Sequence, residues 1–362
     1  MGLEGMLKDE DVGYPSIGLR RVGYFYRRPV FIVEDPVPLV GHIAFGVIDR
    51  GTNVLQVRPT TLCQHSCIFC SVDAGPRSVT RQSEFLVESR WLVRWAVDIA
   101  RFKGGRVEVL LDGVGEPLSH PEILDIIRSL KESGYVSRVA LETHGGFLSR
   151  RLAVELERAG LDRINLSVDT TNTRLAKHLV GVEWYDVSRV LDVAAWILEN
   201  TSIDVVLTPV VVPGFNEDDM RGLIEWARRH KAGVKSGWPT GVLIQKYEVH
   251  RYGRKVRGVR EWSWGRFYRW LRDLERSTGY RLIVEPWEMG FERRPSIDKP
   301  YSSGDKVKVI VMGPGWHWSE FIAVDLRYER VIAVMTEKEL KPGKTVTVTI
   351  VRDEDNTFVA KA

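Results

Sequence analysis

The chain has 362 residues, 44% of them apolar and 28% charged, the balance of a soluble globular protein. That length exceeds the usual single domain, so two domains are the default expectation. A formal net charge of +4 is too small to mark a nucleic-acid or membrane binder by itself, and its distribution matters more than its sum.

The opening residues, MGLEGMLKDEDV, lack the basic start and apolar core of a signal peptide. Met6 stands where a myristoylation motif needs Ser or Thr. No apolar run approaches the ~18–20 residues of a membrane helix. Residues 1–50 carry scattered Gly and Pro with a few strand-like runs and read as an extension packed on the main domain.

From about residue 53 to 285, short apolar runs alternate with longer amphipathic ones. VLQVRP, VEVLLDG, VALET, RINLSV, DVVLTPVVV and GVLIQKY predict strands. SRWLVRWAVDIARFK, PEILDIIRSLKESG, SRRLAVELERAG and WYDVSRVLDVAAWILEN predict helices between them. The alternation predicts an α/β fold with a parallel sheet. Six strands would make a partial (β/α)6 barrel of TIM type, with functional residues where the strands end. This main domain is expected over 51–290. The stretch ERRPSIDKPYSSGD is polar, with prolines and a Ser-Ser-Gly, and residues 291–302 read as a linker. Residues 303–362 give alternating β-branched runs broken by Gly, Pro and Asp, the pattern of a small all-β barrel of five strands.

All three cysteines, Cys63, Cys67 and Cys70, lie in one stretch, TTLCQHSCIFCS, directly after the first strand of the alternating region. Three soft thiolates suit zinc or an iron–sulfur cluster. Zinc needs a fourth ligand, which His65 could supply. A disulfide leaves one thiol over. A cubane held by three thiolates leaves one iron open, as catalysis requires. An odd, clustered set of thiols with no secretory signal argues for the cytosol.

The C-x3-C-x2-C spacing, with Phe69 before the last cysteine, resembles the radical S-adenosylmethionine superfamily. LLDGVGEPLSHPEI follows one helix and one strand later, and its Gly113, Gly115, Glu116 and Pro117 are similar to the family's Gly-Gly-Glu-Pro segment. The resemblance covers about residues 53–285. It implies that Cys63, Cys67 and Cys70 hold one [4Fe–4S] cluster and that residues 113–117 hold the amino group of S-adenosylmethionine. It extends the cofactor cradle to Thr143 in LETHGG, Ser167 and Asp169 in NLSVDTT, and Asn216 in TPVVVPGFNEDD. In the implied chemistry, one electron from the cluster cleaves the sulfonium to a 5′-deoxyadenosyl radical, and the protein supplies orientation. A one-electron donor such as ferredoxin or flavodoxin is implied as partner. No cysteine remains for an auxiliary cluster, and no N-terminal stretch is long enough for a cobalamin domain. Single-cluster hydrogen abstraction is therefore expected.

Residues 227–281 hold 15 Lys or Arg against four Asp or Glu, an excess of +11, with nine aromatics among them. Arg and Lys can hold phosphates while aromatic faces stack on bases, and Arg254, Lys255 and Arg257 are the candidate RNA contacts. The other reading is a solvated basic helix pinned by buried Trp. GDKVKVIVMGPG with Gly304, the LKPG turn at 340–343 and the closing NTFVAKA resemble the TRAM domain, a small OB-like barrel found on tRNA-modifying enzymes. Residues 304–362 carry nine basic and nine acidic side chains, so the basic strip would have to supply much of the phosphate contact. Radical modification of RNA, tRNA first among candidates, is the leading expectation. Radical modification of a protein or peptide, including glycyl-radical enzyme activation, is the alternative. A zinc-stabilised RNA-binding protein is the third.

Among single residues, His120 reads as a cap rather than a ligand. His65 and His144 flank the site as polar contacts or proton donors. Gln245 and Lys246 either approach the adenine or close the sheet, and GPGWHWSEF is either a base-stacking loop or packing.

Overall fold

A computed structural model describes residues 17–362, so the signal-peptide and myristoylation readings of the first twelve residues lie outside the described residues. The chain forms two compact units. One is built from the residues up to Gln64, Ser78–Ser137 and Arg293–Ala362; the other from His65–Arg77 and Arg138–Glu292.

In the first unit the described part of the N-terminal extension, from residue 17, is folded. Strands β1 (Leu19–Phe25) and β2 (Arg28–Val33) pair antiparallel, while β3 (Gly46–Asp49) lies antiparallel along β4 (Val54–Arg58). β2 also takes β5 (Glu84–Val87) as a parallel neighbour, a strand the sequence pattern did not single out. Helix α1 (Ser89–Phe102) follows, capped by the Glu88 carboxylate, which accepts the Arg90 and Trp91 N–H groups. Its buried residues Leu92, Ala96, Ile99 and Ala100 fall on one helical face. β6 (Val107–Leu111) returns parallel to β4, and α2 (Ile123–Glu132) buries Ile123, Ile126, Ile127 and Leu130 at the same spacing.

The second unit continues the alternation. β7 (Val136–Thr143), α3 (Arg150–Ala159), β8 (Arg163–Leu166), α4 (Thr173–Val180), α5 (Val187–Asn200) and β9 (Asp204–Leu207) follow in turn. β7, β8 and β9 pair parallel. Then come β10 (Val210–Val211), α6 (Met220–His230), β11 (Gln245–Lys246) and α7 (Trp264–Thr278). The expected sixth strand, GVLIQKY, is assigned only two residues, yet its ladder runs further. Leu207 N–H donates to Gly241, and Leu243, Gln245 and Tyr247 donate to Leu207, Pro209 and Val211. Pro209 has no N–H, which splits the ladder into two named pieces. Gln245 and Lys246 thus pair with Val210 and Val211, and Lys246 lies 4.8 Å from the Trp264 ring centre.

The C-terminal residues of the first unit form a closed five-stranded barrel: β12 (Lys306–Pro314), β13 (Glu320–Asp325), β14 (Val331–Met335), β15 (Thr345–Arg352) and β16 (Phe358–Lys361), in the order β12-β13-β14-β16-β15. Val309, Val334, Val348 and Phe358 fill its core. Gly343, in the LKPG turn, has φ +81° with nothing near its would-be Cβ, so glycine serves the backbone there. The stretch read as a linker is fastened rather than free. Lys103 Nζ, fully buried, sits 2.7 Å from Asp49 Oδ1 and donates to the Pro295 carbonyl, while Ile297 N–H donates to Asp49 Oδ2. Among the described residues no helix is long and apolar enough to cross a membrane.

Candidate active site

The cysteine loop leaves the C-terminal end of β4. In the second unit its later half is held from two sides. Ser66 and Ile68 N–H groups donate to the Val180 and Leu179 carbonyls at the end of α4. Gly181 makes this close approach possible, since a Cβ there would collide with the Ser66 carbonyl. On the other side, Arg254 donates its backbone N–H to Cys70 O at 2.8 Å, Nη1 to Cys67 O at 3.0 Å, and Nη2 to Ala74 O. Its Nε lies 2.9 Å from Asp73 Oδ1. Gly253 lets the two stretches of chain meet: a Cβ would stand 2.7 Å from Ser71 O.

Cys67 is buried, and burial pushes its thiol well up, with neighbouring Cys70 and Asp169 adding to the rise and Arg254 opposing it. His144 Nε2 lies 3.3 Å from Cys67 Sγ. Its Nδ1 is 2.9 Å from the Ser167 carbonyl, which can only accept, so Nδ1 carries a proton. Cys70 Sγ accepts the Ala74 N–H at 3.2 Å.

In the first unit the start of the loop is locked to the segment after β6. Gly115 has an ordinary φ, but its would-be Cβ falls 2.5 Å from Leu62 O and 2.7 Å from Thr61 O. Glu116 N–H donates to Leu62 O at 2.7 Å. Gly113 is close but less tight, its would-be Cβ 3.2 Å from Gly115 N and 3.3 Å from Thr60 O. Glu116, buried, also accepts the Leu118 N–H and caps the short turn Pro117–Ser119 that Pro117 starts. Here the glycine–glutamate register acquires a physical cause: only glycine fits against the cysteine loop.

The remaining expected cradle residues stand at strand ends of the second unit. Thr143 ends β7; its hydroxyl accepts the Gly145 N–H and its carbonyl accepts the Ser167 N–H. Ser167 Oγ faces Thr208 Oγ1 at 3.3 Å. Asp169 is fully buried; Oδ1 accepts the Val210 N–H, whereas Oδ2 has no hydrogen-bond partner. Burial pushes its carboxyl up to about 6, against the charge of His144 and the Val210 N–H. Asn216, the last expected cradle residue, has its amide bonded to backbone, donating to Asp169 O and Val210 O and accepting from Val212 N–H.

The donor set fits an iron–sulfur cluster. Three thiols occur within eight residues of a loop whose carbonyls are already held by protein groups, and a buried carboxylate oxygen of Asp169 in the second unit lacks a donor. Among the described residues no three His, Cys, Asp or Glu side chains are set to hold a single metal ion. A cubane makes no such demand, because each thiolate takes its own iron. His65, the fourth ligand of the zinc reading, is buried beside the rings of His144, Phe147, Trp184 and Tyr185. Burial, then the charge of His144, pulls its pKa well below the usual value. His120 is a cap as expected: Nδ1 accepts the Glu122 N–H and Nε2 faces Val87 O at 2.9 Å.

The basic strip divides. Lys255 and Arg257 are exposed, but Arg254 is turned inward onto the cysteine loop, because the loop's carbonyls need donors that its own chain does not supply. Trp238, Tyr247 and Trp262 are core, and α7 buries Phe267, Leu271 and Leu274 at helical spacing. Trp264 and Tyr268 stay exposed and stacked, ring centres 5.9 Å apart. Sequence spacing missed Arg254's inward role and gave no geometry for His144. Neither belongs to a motif whose period could point to the loop.

A model of the radical SAM superfamily matches residues 57–227. A protein of Methanocaldococcus jannaschii, itself uncharacterized, is 32% identical over 92% of this chain and 81% of its own length. The GTP 3′,8-cyclase of Chlorobaculum tepidum is 27% identical over 58% of this chain, which spans 58% of that cyclase. Among solved structures, anSMEcpe with bound AdoMet is similar at 14% identity and a TM-score of 0.48, over 65% of this chain and 64% of that one. Residues 57–227 therefore carry a radical SAM superfamily domain, and enzymes of that superfamily use a [4Fe–4S] cluster and S-adenosylmethionine.

Proposed function

We propose that Cys63, Cys67 and Cys70 hold a single [4Fe–4S] cluster, and that this enzyme modifies RNA, tRNA first among candidates. The observation that carries the site is Gly115, whose missing side chain lets residues 113–116 lie directly on the cysteine loop. Held by Cys63, Cys67 and Cys70, the cluster would supply one-electron reduction of S-adenosylmethionine and thereby radical chemistry at a substrate C–H bond. The protein's own part is positioning. Glu116 and the 113–117 backbone orient the ammonium end, Ser167 and Thr143 offer hydroxyls, and Asp169 Oδ2 accepts from a ligand donor. Asn216 keeps the chain around Asp169 and Val210 in place. The enzyme is read as cytosolic, with an external donor of ferredoxin or flavodoxin type.

The RNA reading rests on the exposed cations Arg251, Lys255, Arg257, Arg260, Arg266 and Arg269, in the same stretch of sequence as the exposed, stacked Trp264 and Tyr268. The likeness of the C-terminal barrel to a TRAM domain supports it further. Filter binding of tRNA across salt tests it. The log–log slope should be steep, and Lys255→Glu with Arg257→Glu should flatten it by roughly 1 for each phosphate no longer neutralised. Mass spectrometry of tRNA nucleosides from a deletion strain would then name the product. Salt-independent or absent tRNA binding would sink the RNA reading. A free guanine nucleotide is the second reading, supported by the similarity to proteins named GTP 3′,8-cyclase. Consumption of GTP by the reconstituted enzyme without RNA would favour it.

A further inference from the structure

Arg81 has no place in the sequence motifs, yet its buried guanidinium joins the two segments assigned to the cofactor. Nη1 donates to Thr61 O at 2.9 Å, just before Cys63, and Nη2 donates to Val114 O, between Gly113 and Gly115. Glu84, also buried, lies 3.0 Å from Nη1, and Arg28 lies 2.9 Å from the other oxygen of the same carboxylate. One planar fork therefore sets the distance between the cysteine loop and the 113–116 segment.

The face of that guanidinium is covered from the C-terminal barrel. The Trp316 ring centre lies 4.6 Å from Arg81 Cζ, and Trp316 is only 2% exposed. Trp316 sits in the connection between β12 and β13, and this connection is docked onto residues 79–83. Gln82 N–H donates to Trp316 O at 2.9 Å, Ser83 Oγ to Gly315 O, and Trp318 Nε1 to Val79 O at 3.0 Å. The turn is fixed from inside by Glu320, which accepts the Trp316 N–H at 2.9 Å and lies 3.0 Å from His42 Nε2. GPGWHWSEF is thus packing rather than a free stacking loop at Trp316.

We infer that Arg81 is a positioning residue for the S-adenosylmethionine site, and that the C-terminal barrel, through Trp316, is the clamp that keeps it in place. Burying a guanidinium is costly unless both its edge and its face are compensated. Thr61 O, Val114 O and Glu84 satisfy the edge; the indole satisfies the face. Without the indole the fork is free to tilt, and its two carbonyl bonds no longer hold residues 113–116 at a fixed distance from the cysteine loop. The inference rests on the proposed assignment of residues 113–117 to the cofactor.

The test uses the full chain with Trp316→Leu, which keeps apolar bulk, Trp316→Phe, which keeps a π face, and Arg81→Lys, which keeps charge without the fork. In the metal-free protein, amide exchange over residues 60–64 and 112–117 should speed up in the Leu and Lys variants and stay near wild type in the Phe variant. After anaerobic reconstitution, Trp316→Leu and Arg81→Lys should keep about four irons per chain yet bind S-adenosylmethionine ~10-fold more weakly, read from the paramagnetic signal of the reduced cluster. Trp316→Phe should restore most of that affinity. A lowered melting temperature with unchanged exchange and affinity would show that the contact only glues the barrel on, and would overturn the proposal. Should Trp316→Leu fail to fold, Arg81→Lys decides alone. Cys67→Ala and Glu116→Ala run alongside: if they leave iron content and affinity unchanged, the site assignment and the clamp fall together. If they behave as expected while Arg81→Lys does not, the clamp alone falls.

Discussion

Gly115→Ala isolates the contact on which the candidate site depends. Gly115 has no positive φ, so alanine brings no backbone strain, only a methyl group 2.5 Å from Leu62 O. Restoring an ordinary separation of ~3.5 Å requires the two segments to part by ~1 Å. The Glu116 N–H to Leu62 O bond, now 2.7 Å, would then exceed hydrogen-bond range. Losing that buried bond costs ~1–3 kcal/mol and residual overpacking a similar amount, so about 2–6 kcal/mol in all. At ~2–4 °C per kcal/mol, the melting temperature should fall by ~4–24 °C. Gly113→Ala, with its nearest backbone atom at 3.2 Å, should cost less. Gly265→Ala is the opposite control: it lies in α7 with open space around it and should gain up to ~1 kcal/mol. Scanning calorimetry of the three variants, with S-adenosylmethionine titration of the reconstituted proteins, reads the outcome. Wild-type melting and affinity in Gly115→Ala would refute the claim that the two segments are in mandatory contact.

Asp169 should make the metal-free protein less stable as pH rises. Its folded value of about 6 exceeds the ordinary 3.8, so the stability it contributes is complete below pH 3.8 and is lost as pH climbs through 6, by up to ~3 kcal/mol. Asp169→Asn keeps the acceptor for Val210 and should abolish this slope in denaturant titrations at pH 5 and 7. Arg254→Met should take a donor from each of Cys67 O, Ala74 O and Asp73, raising amide exchange over residues 66–74 without flattening the salt dependence of tRNA binding. A flattened slope would return Arg254 to the RNA face. Lys103→Met should strip the cation from buried Asp49 and destabilise by ~3–5 kcal/mol, seen as a lower midpoint in urea.

Much of this was legible because the relevant signals are local. Helix α1 could be read from Leu92, Ala96 and Ile99 at helical spacing, and the five barrel strands from β-branched alternation. The cysteine loop and the glycine–glutamate segment could be read because each is contiguous. What escaped depends on pairs far apart in sequence. Arg81 and Trp316 are separated by more than two hundred residues, and neither residue type announces its partner. Arg254 was assigned to RNA because a cation in a basic run looks solvated; only the fold shows which carbonyls it faces. Trp238, Tyr247 and Trp262 follow the other reading of that strip, buried aromatics pinning a charged stretch. Asn216 entered the cradle only through the family resemblance, and a buried break in a ladder also needs an amide to satisfy it.

The two arginines share a physical logic. A loop that presents ligands at the end of a parallel strand has little side-chain packing of its own, and glycines that admit close backbone approach remove more. Its carbonyls must still be satisfied when buried. A guanidinium does this at the least loss of order, since one rigid group carries five donors in a plane. In the first unit Arg81 takes Thr61 O and Val114 O; in the second Arg254 takes Cys67 O and Ala74 O, and its own backbone takes Cys70 O. Each fork is in turn fixed by a carboxylate, Glu84 for one and Asp73 for the other. The loop backbone is thereby held by protein groups alone, so binding a cluster has little left to order. Lysine at either position would carry the same charge but could not span two carbonyls, so Arg81→Lys removes the fork while keeping the cation.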